Sequence, residues 1–144
     1  MVSELISLLG AQKVRADEVS RTVYSQDATA LFHGMPDVIV APENTADVVT
    51  IVKYANEKKI PLIARGAGSN LAGATVPLNG GIVMTMSGMD KILEISKSEL
   101  LARVQPGVTN LALDEAVARE NMRFVADPGT RNVSTILFQV GFTP

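Results

Sequence analysis

Glycine is concentrated in one short stretch of the sequence that directly follows a run of apolar residues. The stretch IARGAGSNLAGAT, residues 63–75, contains Gly66, Gly68 and Gly73. Because glycine adopts positive φ angles without a steric penalty, such a loop can turn successive backbone N–H groups toward one point. The spacing therefore predicts an anion-binding loop at the end of a strand.

The polar residues of the same stretch extend this prediction to a diphosphate. Ser69 and Asn70 can donate side-chain hydrogen bonds, and Arg65 brings a positive charge to the start of the loop. The alternative is a glycine-rich turn that only joins two strands, since glycine turns are common in any protein. The spacing alone is compatible with both interpretations.

Two well-known phosphate-binding loops fit this stretch badly. A P-loop requires a lysine followed by serine or threonine, and residues 63–75 contain no lysine. The G-x-G-x-x-G fingerprint of dinucleotide-binding folds begins at Gly66 and Gly68, but the third glycine, Gly73, is displaced. Hydrolysis of nucleoside triphosphates and a Rossmann-type site are therefore disfavoured.

The composition argues against several other classes of function. The 144 residues include 13 basic and 15 acidic side chains without a long block of either sign, so nucleic acid is not an expected partner. The absence of cysteine excludes disulfides and thiolate metal ligands and fits a reducing compartment, predicted to be the cytoplasm. No stretch approaches the roughly 20 apolar residues of a membrane span. No metal site and no catalytic residue is predicted.

Hydrophobic periodicity switches between strand and helix patterns, which predicts an α/β or α+β domain. PDVIVAP, residues 36–42, predicts a buried strand between two prolines. A helix capped by Asn44 or Thr45 follows, with an apolar stripe of Val48, Ile51, Val52 and Ala55. Residues 62–64 form the next predicted strand. A strand, helix, strand unit needs a crossover and favours a parallel pair.

The flanking segments are predicted from the same patterns. The first helix has Leu5, Leu8 and Leu9 on one face and Ser3 as its cap, and residues 22–36 form a loop or an arm. Further strands are predicted in GGIVMTM, SGMDKILEIS and LLARVQPGV. Thr109 caps a last helix with Leu113, Ala116 and Val117 toward the core.

Several motifs in a fixed order resemble a known family of flavoproteins. They are YSQDA, the segment from PDVIVAPENTADVV to ARGAGSNLAGATVP, VQPGVT and FVADPGTRNVSTI. They resemble the amino-terminal FAD-binding domain of FAD-linked oxidases of the glycolate oxidase and D-lactate dehydrogenase type, which shares the fold of vanillyl-alcohol oxidase and p-cresol methylhydroxylase. The resemblance implies an α+β FAD-binding domain, of which this chain would be the first lobe, a small sheet flanked by helices.

The resemblance also implies which residues contact the cofactor. In the family, the loop that matches residues 65–70 wraps the FAD pyrophosphate, and two later segments lie near the cofactor. The implied cofactor-binding residues are Arg65, Gly66, Ala67, Gly68, Ser69, Asn70, Pro128, Gly129, Thr130, Ser134 and Thr135. For the Pro-Gly segment the alternative is ordinary turn chemistry.

The flavin is expected to be noncovalent. Relatives that tether FAD often have a histidine directly after the second loop glycine, and this sequence has Ser69 there. The single histidine, His33, lies in the predicted loop before the strand of residues 38–40 and is expected to be a surface residue.

The resemblance ends near the carboxyl terminus. After Ile136 the family continues with Gly-Gly-Asn, whereas this sequence has Leu137 and Phe138. The predicted organisation is an N-terminal helix and loop arm at residues 1–35, an incomplete FAD-binding domain at 36–136 and a divergent tail at 137–144. The rest of the FAD-binding domain and the cap domain that shapes the substrate pocket would lie outside this sequence.

Three functional hypotheses follow. The first is the FAD-binding part of an oxidoreductase that oxidises a D-2-hydroxy acid by hydride transfer to FAD, together with a further domain or partner chain. The second is a truncated fragment that folds without activity. The third is a scaffold or interaction module that pairs with itself or another chain through sheet edges and apolar surface. The identity of the 2-hydroxy acid and of the electron acceptor would be decided by residues outside this sequence.

Overall fold

The chain combines helices and strands in a mixed α+β architecture, one of the two classes that the periodicity predicts. The computed structural model describes residues 1–29, 31–126, 129 and 142–143. The helices are α1 (Val2–Leu9), α2 (Glu18–Val23), α3 (Thr45–Lys58) and α4 (Asn110–Ala118). The strands are β1 (Val14–Arg15), β2 (Val38–Val40), β3 (Leu62–Arg65), β4 (Ile82–Thr85), β5 (Ile92–Ser96), β6 (Leu101–Val104), β7 (Arg123–Phe124) and β8 (Phe142–Thr143).

The main sheet of the described residues has the strand order β1-β2-β4-β3. Strands β2 and β3 both run parallel to β4, and β1 runs antiparallel to β2. The unit β2-α3-β3 is therefore parallel, as predicted, but β4 lies between its two strands. Every residue of β4 is buried, and a strand that is buried on both faces belongs in the middle of a sheet.

Helix α3 begins at the predicted cap. The side-chain oxygen of Asn44 accepts a hydrogen bond of 3.0 Å from the backbone N–H of Asp47. Asp47 in turn accepts a hydrogen bond of 2.7 Å from Nζ of Lys13, which precedes β1. The start of α3 is thus attached to the edge of the sheet.

The buried face of α3 differs from the predicted stripe by one residue. Ile51 and Ala55 are buried as predicted, but Val52 is 44% exposed and Tyr54 is buried instead. Tyr54 lies three positions after Ile51, on the same side of the helix. Its hydroxyl donates a hydrogen bond of 2.6 Å to Glu4 of α1, so a polar partner accompanies the buried ring.

Helix α1 packs into the core beneath the sheet. Leu5 and Leu9 are buried in the cluster that contains β2, β4 and α3, whereas Leu8 is 53% exposed. The prediction of Ser3 as cap is wrong, because Ser3 lies inside the helix and Met1 occupies the N-cap position without a side-chain hydrogen bond.

The segment between α1 and β2 contains short elements that its hydrophobic pattern does not predict. Strand β1 has two residues and α2 has six, which is too short for a hydrophobic period to emerge. Residues 24–29 and 31–36 form no helix or strand, in agreement with the predicted loop.

A second hydrophobic cluster lies in the later part of the chain. It contains Val108, Leu113, Val117, Met122 and Phe124, with apolar residues of the β5–β6 hairpin packed against it. The backbone N–H of Ala112 donates 3.2 Å to the hydroxyl of Thr109, which confirms the predicted cap of α4. Strands β7 and β8 pair antiparallel.

Candidate functional site

The glycine-rich segment, residues 66–75 and from here the glycine loop, leaves the sheet directly after β3. Because β2, β3 and β4 are parallel, the loop emerges at the edge formed by their carboxyl ends, where open parallel sheets commonly bind ligands. Gly68 has φ 71° and Gly73 has φ 72°, which confirms the predicted use of glycine at these positions. Gly66 does not adopt a positive φ.

The tip of the glycine loop presents backbone donors. Ala67 is exposed and Gly68 is partly exposed. Within the described part of the chain, no backbone hydrogen bond uses the N–H groups of these two residues. Adjacent donors of this kind next to a positive-φ glycine suit an anionic oxygen.

Arg65, the last residue of β3, turns its side chain back beneath the glycine loop. It is 7% exposed, and its Nη1 donates 2.8 Å to the carbonyl oxygen of Gln26. Its guanidinium carbon lies 5.3 Å from the ring centroid of Tyr24, within the range of a cation–π contact. Burial lowers the pKa of Arg65, and the neighbouring Tyr24 and Asp27 oppose that shift. An arginine nevertheless stays protonated in proteins.

The position of Arg65 explains why residue 68 is glycine. A Cβ at Gly68 would overlap Nη2 and the guanidinium carbon of Arg65. A larger residue would therefore meet two obstacles, the positive φ and the buried guanidinium. The positive charge lies directly under the part of the loop that exposes its N–H groups.

A carboxylate holds the far end of the glycine loop. Asp27 Oδ2 accepts hydrogen bonds from Asn70 Nδ2 at 2.7 Å and from the backbone N–H of Gly73 at 2.9 Å. The amide oxygen of Asn70 accepts 2.9 Å from the hydroxyl of Thr75. Asn70, predicted as a donor to phosphate, thus uses both ends of its side chain within the protein.

The YSQDA motif, residues 24–28, belongs to the resemblance, but its residue types and spacing predict no role. The structure brings Tyr24, Gln26 and Asp27 against Arg65 and the glycine loop. A motif with one aromatic and one acidic residue has no periodicity that would place it next to a loop about 40 residues later. Its occurrence in the resemblance was the only available signal.

The other predicted site residues are only partly described. Gly129 is exposed, with no atom within 4 Å of the position of a Cβ. Pro128, Thr130, Ser134 and Thr135 lie outside the described residues. His33 is exposed, as expected. Among the residues that the structure describes, no group of acidic, histidine or cysteine side chains could hold a metal ion, and no helix is long and apolar enough to cross a membrane.

Comparisons with known proteins place this geometry in a family. Residues 36–137 match the family described as the FAD binding domain. The glycolate oxidase subunit GlcD of Bacillus subtilis (strain 168) is 38% identical over 133 residues, which are 92% of this chain and 28% of that protein. D-lactate dehydrogenase of Archaeoglobus fulgidus is 38% identical over 97 residues, 67% of this chain and 22% of that protein.

The fold is also found among solved structures. The structure of p-cresol methylhydroxylase with substrate bound matches with a TM-score of 0.74 at 26% identity, covering 83% of this chain and 24% of that one. The predicted fold is thereby confirmed. The chain spans less than a third of the length of the curated relatives named above. Since the matched range includes the whole glycine loop and most of the chain, this protein belongs to the FAD binding domain family.

Proposed function

We propose that the glycine loop binds the pyrophosphate of FAD. The observation that carries this proposal is the pair of backbone N–H groups at Ala67 and Gly68 above the buried guanidinium of Arg65. Backbone donors and a nearby positive charge are the chemistry that a diphosphate requires. A buried cation also attracts the phosphates without being fully screened by salt.

The residues assigned to the pyrophosphate are Arg65, Gly66, Ala67, Gly68, Ser69 and Asn70. In this proposal residues 66–69 supply donors, and Arg65 supplies charge from beneath the loop. Asn70 contributes its backbone N–H, because its side chain is bonded to Asp27 and Thr75. Pro128, Gly129, Thr130, Ser134 and Thr135 are proposed as further contacts on the strength of the resemblance. Ser69 occupies the place at which tethering relatives carry histidine, so the proposed FAD is held noncovalently.

The activity proposed for the complete protein is oxidation of a D-2-hydroxy acid. Two curated relatives are named glycolate oxidase subunit and D-lactate dehydrogenase, and glycolate and lactate are both 2-hydroxy acids. When bound, FAD supplies the hydride acceptor. The part of the chain described here binds and orients the cofactor, and no described residue is proposed as a general base.

The substrate pocket is proposed to come from a further domain or partner chain. The Bacillus subtilis relative is named as a subunit, and Leu93 and Leu101 of the β5–β6 hairpin are 56% and 48% exposed. Exposed leucines on paired strands also support the third hypothesis, an interaction module that pairs with itself or another chain. Sedimentation as a monomer at high protein concentration would exclude self-association of this chain.

We also propose a cytoplasmic location for the protein.

The proposed function is tested by titrating the purified chain with FAD and following flavin fluorescence. We expect saturable binding that is lost in an Arg65→Ala, Gly68→Val double variant. ADP, which carries a diphosphate, should compete, and riboflavin, which carries no phosphate, should not. A fluorescence signal that never saturates, or competition by riboflavin but not by ADP, would contradict binding through the glycine loop.

A further inference from the structure

The segment at residues 24–29, called here the bracing segment, makes contacts on both sides of the tip of the glycine loop, with Arg65 directly before the loop and with Asn70 and Gly73 within it. On the first side, Gln26 and Tyr24 hold the guanidinium of Arg65 under Gly68. On the other side, Asp27 binds Asn70 and Gly73. The loop between these two points carries the donors assigned above to the pyrophosphate.

The bracing segment is itself hydrogen-bonded to α2 and to the loop that follows it. Ser25 is 1% exposed, its hydroxyl donates 2.7 Å to the carbonyl of Thr22, and its own carbonyl accepts 2.9 Å from the N–H of Gly34. Asp27 Oδ1 accepts 2.9 Å from the N–H of Thr29. The Asp27 carboxylate therefore has both oxygens engaged and cannot turn away without losing three hydrogen bonds.

We propose that Asp27 is a positioning residue for FAD, which holds the glycine loop in its binding conformation through Asn70 and the backbone of Gly73. This inference rests on the proposed function. Asp27 does not donate to the cofactor. It acts by reducing the conformational freedom that the loop would otherwise lose when FAD binds, and such preorganisation raises affinity.

The negative charge of Asp27 allows a positioning role to be distinguished from an electrostatic role. A carboxylate close to a diphosphate site repels the ligand, so an electrostatic role would make Asp27 unfavourable for binding. The positioning role requires its oxygens as acceptors and does not require its charge. If Asp27 acts mainly through its charge, removing the side chain should strengthen FAD binding. If it acts by positioning the loop, removing the acceptor oxygens should weaken FAD binding.

The test compares FAD affinities of the full chain and three variants. Asp27→Ala removes the acceptors, and Asp27→Asn removes the charge but keeps one oxygen that can face Asn70 and Gly73. Asp37→Ala is the matched control, because Asp37 Oδ2 also accepts a hydrogen bond from a glycine N–H, that of Gly81 at 2.8 Å. Asp37 lies directly before β2, at the opposite edge of the parallel strands from the glycine loop.

We expect Asp27→Ala to weaken FAD binding about tenfold, as for a loop that populates its binding conformation about a tenth of the time. Asp27→Asn should bind closer to wild type, and Asp37→Ala should bind as wild type does. Equal or tighter binding by Asp27→Ala would overturn the inference while leaving the proposed function in place. A wild-type chain that binds no FAD would contradict the proposed function and, with it, this inference.

A further variant and a measurement without FAD keep the test decisive if Asp27→Ala does not fold. If Asp27→Ala does not fold, Asp27→Glu carries the same expectation, since it keeps the charge but moves the carboxylate away from its partners. Amide hydrogen exchange of residues 66–75 in the chain without FAD should accelerate in the Asp27→Ala or Asp27→Glu variant and not in Asp37→Ala. Unchanged exchange in that loop would contradict the bracing role directly.

Discussion

At the scale of single residues, Gly68 and Arg65 constrain one another. The loop needs a positive φ at residue 68, and the buried guanidinium occupies the space that a Cβ would fill. Either requirement alone favours glycine, and together they make position 68 sensitive to the smallest substitution. A left-handed conformation costs a residue other than glycine roughly 1–2 kcal/mol.

We predict that Gly68→Ala lowers both thermal stability and FAD affinity, because the new methyl group displaces Arg65 from beneath the loop. Gly80→Ala is the control, since Gly80 has a similar φ of 69° and an added Cβ would lie 2.9 Å from Oδ2 of Asp37. We expect comparable loss of melting temperature in both variants and weaker FAD binding only in Gly68→Ala. Equal FAD affinities for the two would contradict the role of Arg65 and Gly68.

Another interaction at this scale links α1 to α3 and depends on pH. The hydrogen bond from Tyr54 to Glu4 is the first cause of a lowered pKa at Glu4 and raises the pKa of Tyr54 to about 12. A lowered folded pKa stabilises the protein above the unfolded pKa, near 4.5 for Glu4, and this contribution disappears as the pH falls through the folded pKa. The raised pKa of Tyr54 stabilises the folded protein fully below pH 10, and this stabilisation is lost as the pH rises through about 12.

We therefore predict that Tyr54→Phe destabilises the protein at neutral pH and that the difference from wild type shrinks below pH 4.5. The reason is that the hydrogen bond from the Tyr54 hydroxyl favours the carboxylate of Glu4, and this stabilisation is lost when Glu4 is protonated. Urea unfolding from pH 7 downward measures this difference. Tyr24→Phe, which keeps an aromatic ring over Arg65, should show no such trend in the same pH range, and a trend of equal size would contradict the assignment to Tyr54.

At the scale of elements, the helices begin where a side chain can accept a hydrogen bond from a backbone N–H group, except α1. Asn44 and Thr109 act as predicted, and Asp17 caps α2 by accepting 2.9 Å from Ser20 N–H. Helix α1 has a Ser3 of suitable type, but its first turn starts earlier. A residue type that favours capping is therefore effective only when it stands at the N-cap position.

We predict that Asn44→Ala lowers the free energy of unfolding by about 1 kcal/mol, the usual effect of removing such a cap. The measurement is the midpoint of urea unfolding, with FAD affinity expected to stay unchanged because the cap lies outside the glycine loop. Ser3→Ala is the control and should leave the midpoint unchanged. A Ser3→Ala effect as large as that of Asn44→Ala would mean that Ser3 caps α1 in solution.

At the scale of the whole molecule, the described residues contain two hydrophobic clusters. The first packs against one face of the parallel sheet and includes residues of α1 and α3, and the second contains residues of α4 and β7, with the β5–β6 hairpin packed against it. The segment predicted as an N-terminal helix and loop arm, residues 1–35, contributes Leu5, Leu9 and Val14 to the first cluster. The first cluster also supports β3, from which the glycine loop departs.

We predict that Leu5→Ala destabilises the protein by about 2–5 kcal/mol, the range for removing a fully buried leucine side chain. Leu5 is 0% exposed, whereas Leu8 of the same helix is 53% exposed. Leu8→Ala should therefore change the stability by less than about 0.5 kcal/mol. Denaturant unfolding compares the two, and similar losses would show that α1 does not pack into the core as described.

Much of the fold could be predicted because the local signals agree with the tertiary structure. Buried apolar runs gave β2 and β4, and Asn44 and Thr109 marked the starts of α3 and α4. The position of β4 between β2 and β3 could not be predicted, since strand order depends on how the sheet buries both of its faces. The choice of Tyr54 over Val52 on α3 likewise depends on the nearby carboxylate of Glu4.

For the candidate site, the sequence by itself determined the glycine positions, the donor-rich loop and the likeness to FAD-linked oxidases, because backbone freedom and motif order are properties of the chain alone. Only the tertiary structure decided that Arg65 turns beneath the loop toward Tyr24 and that Asp27 holds Asn70 and Gly73. These contacts join residues about 40 positions apart. Such pairs meet only when packing of the sheet brings two loops together, and neither charge nor spacing along the chain specifies that approach.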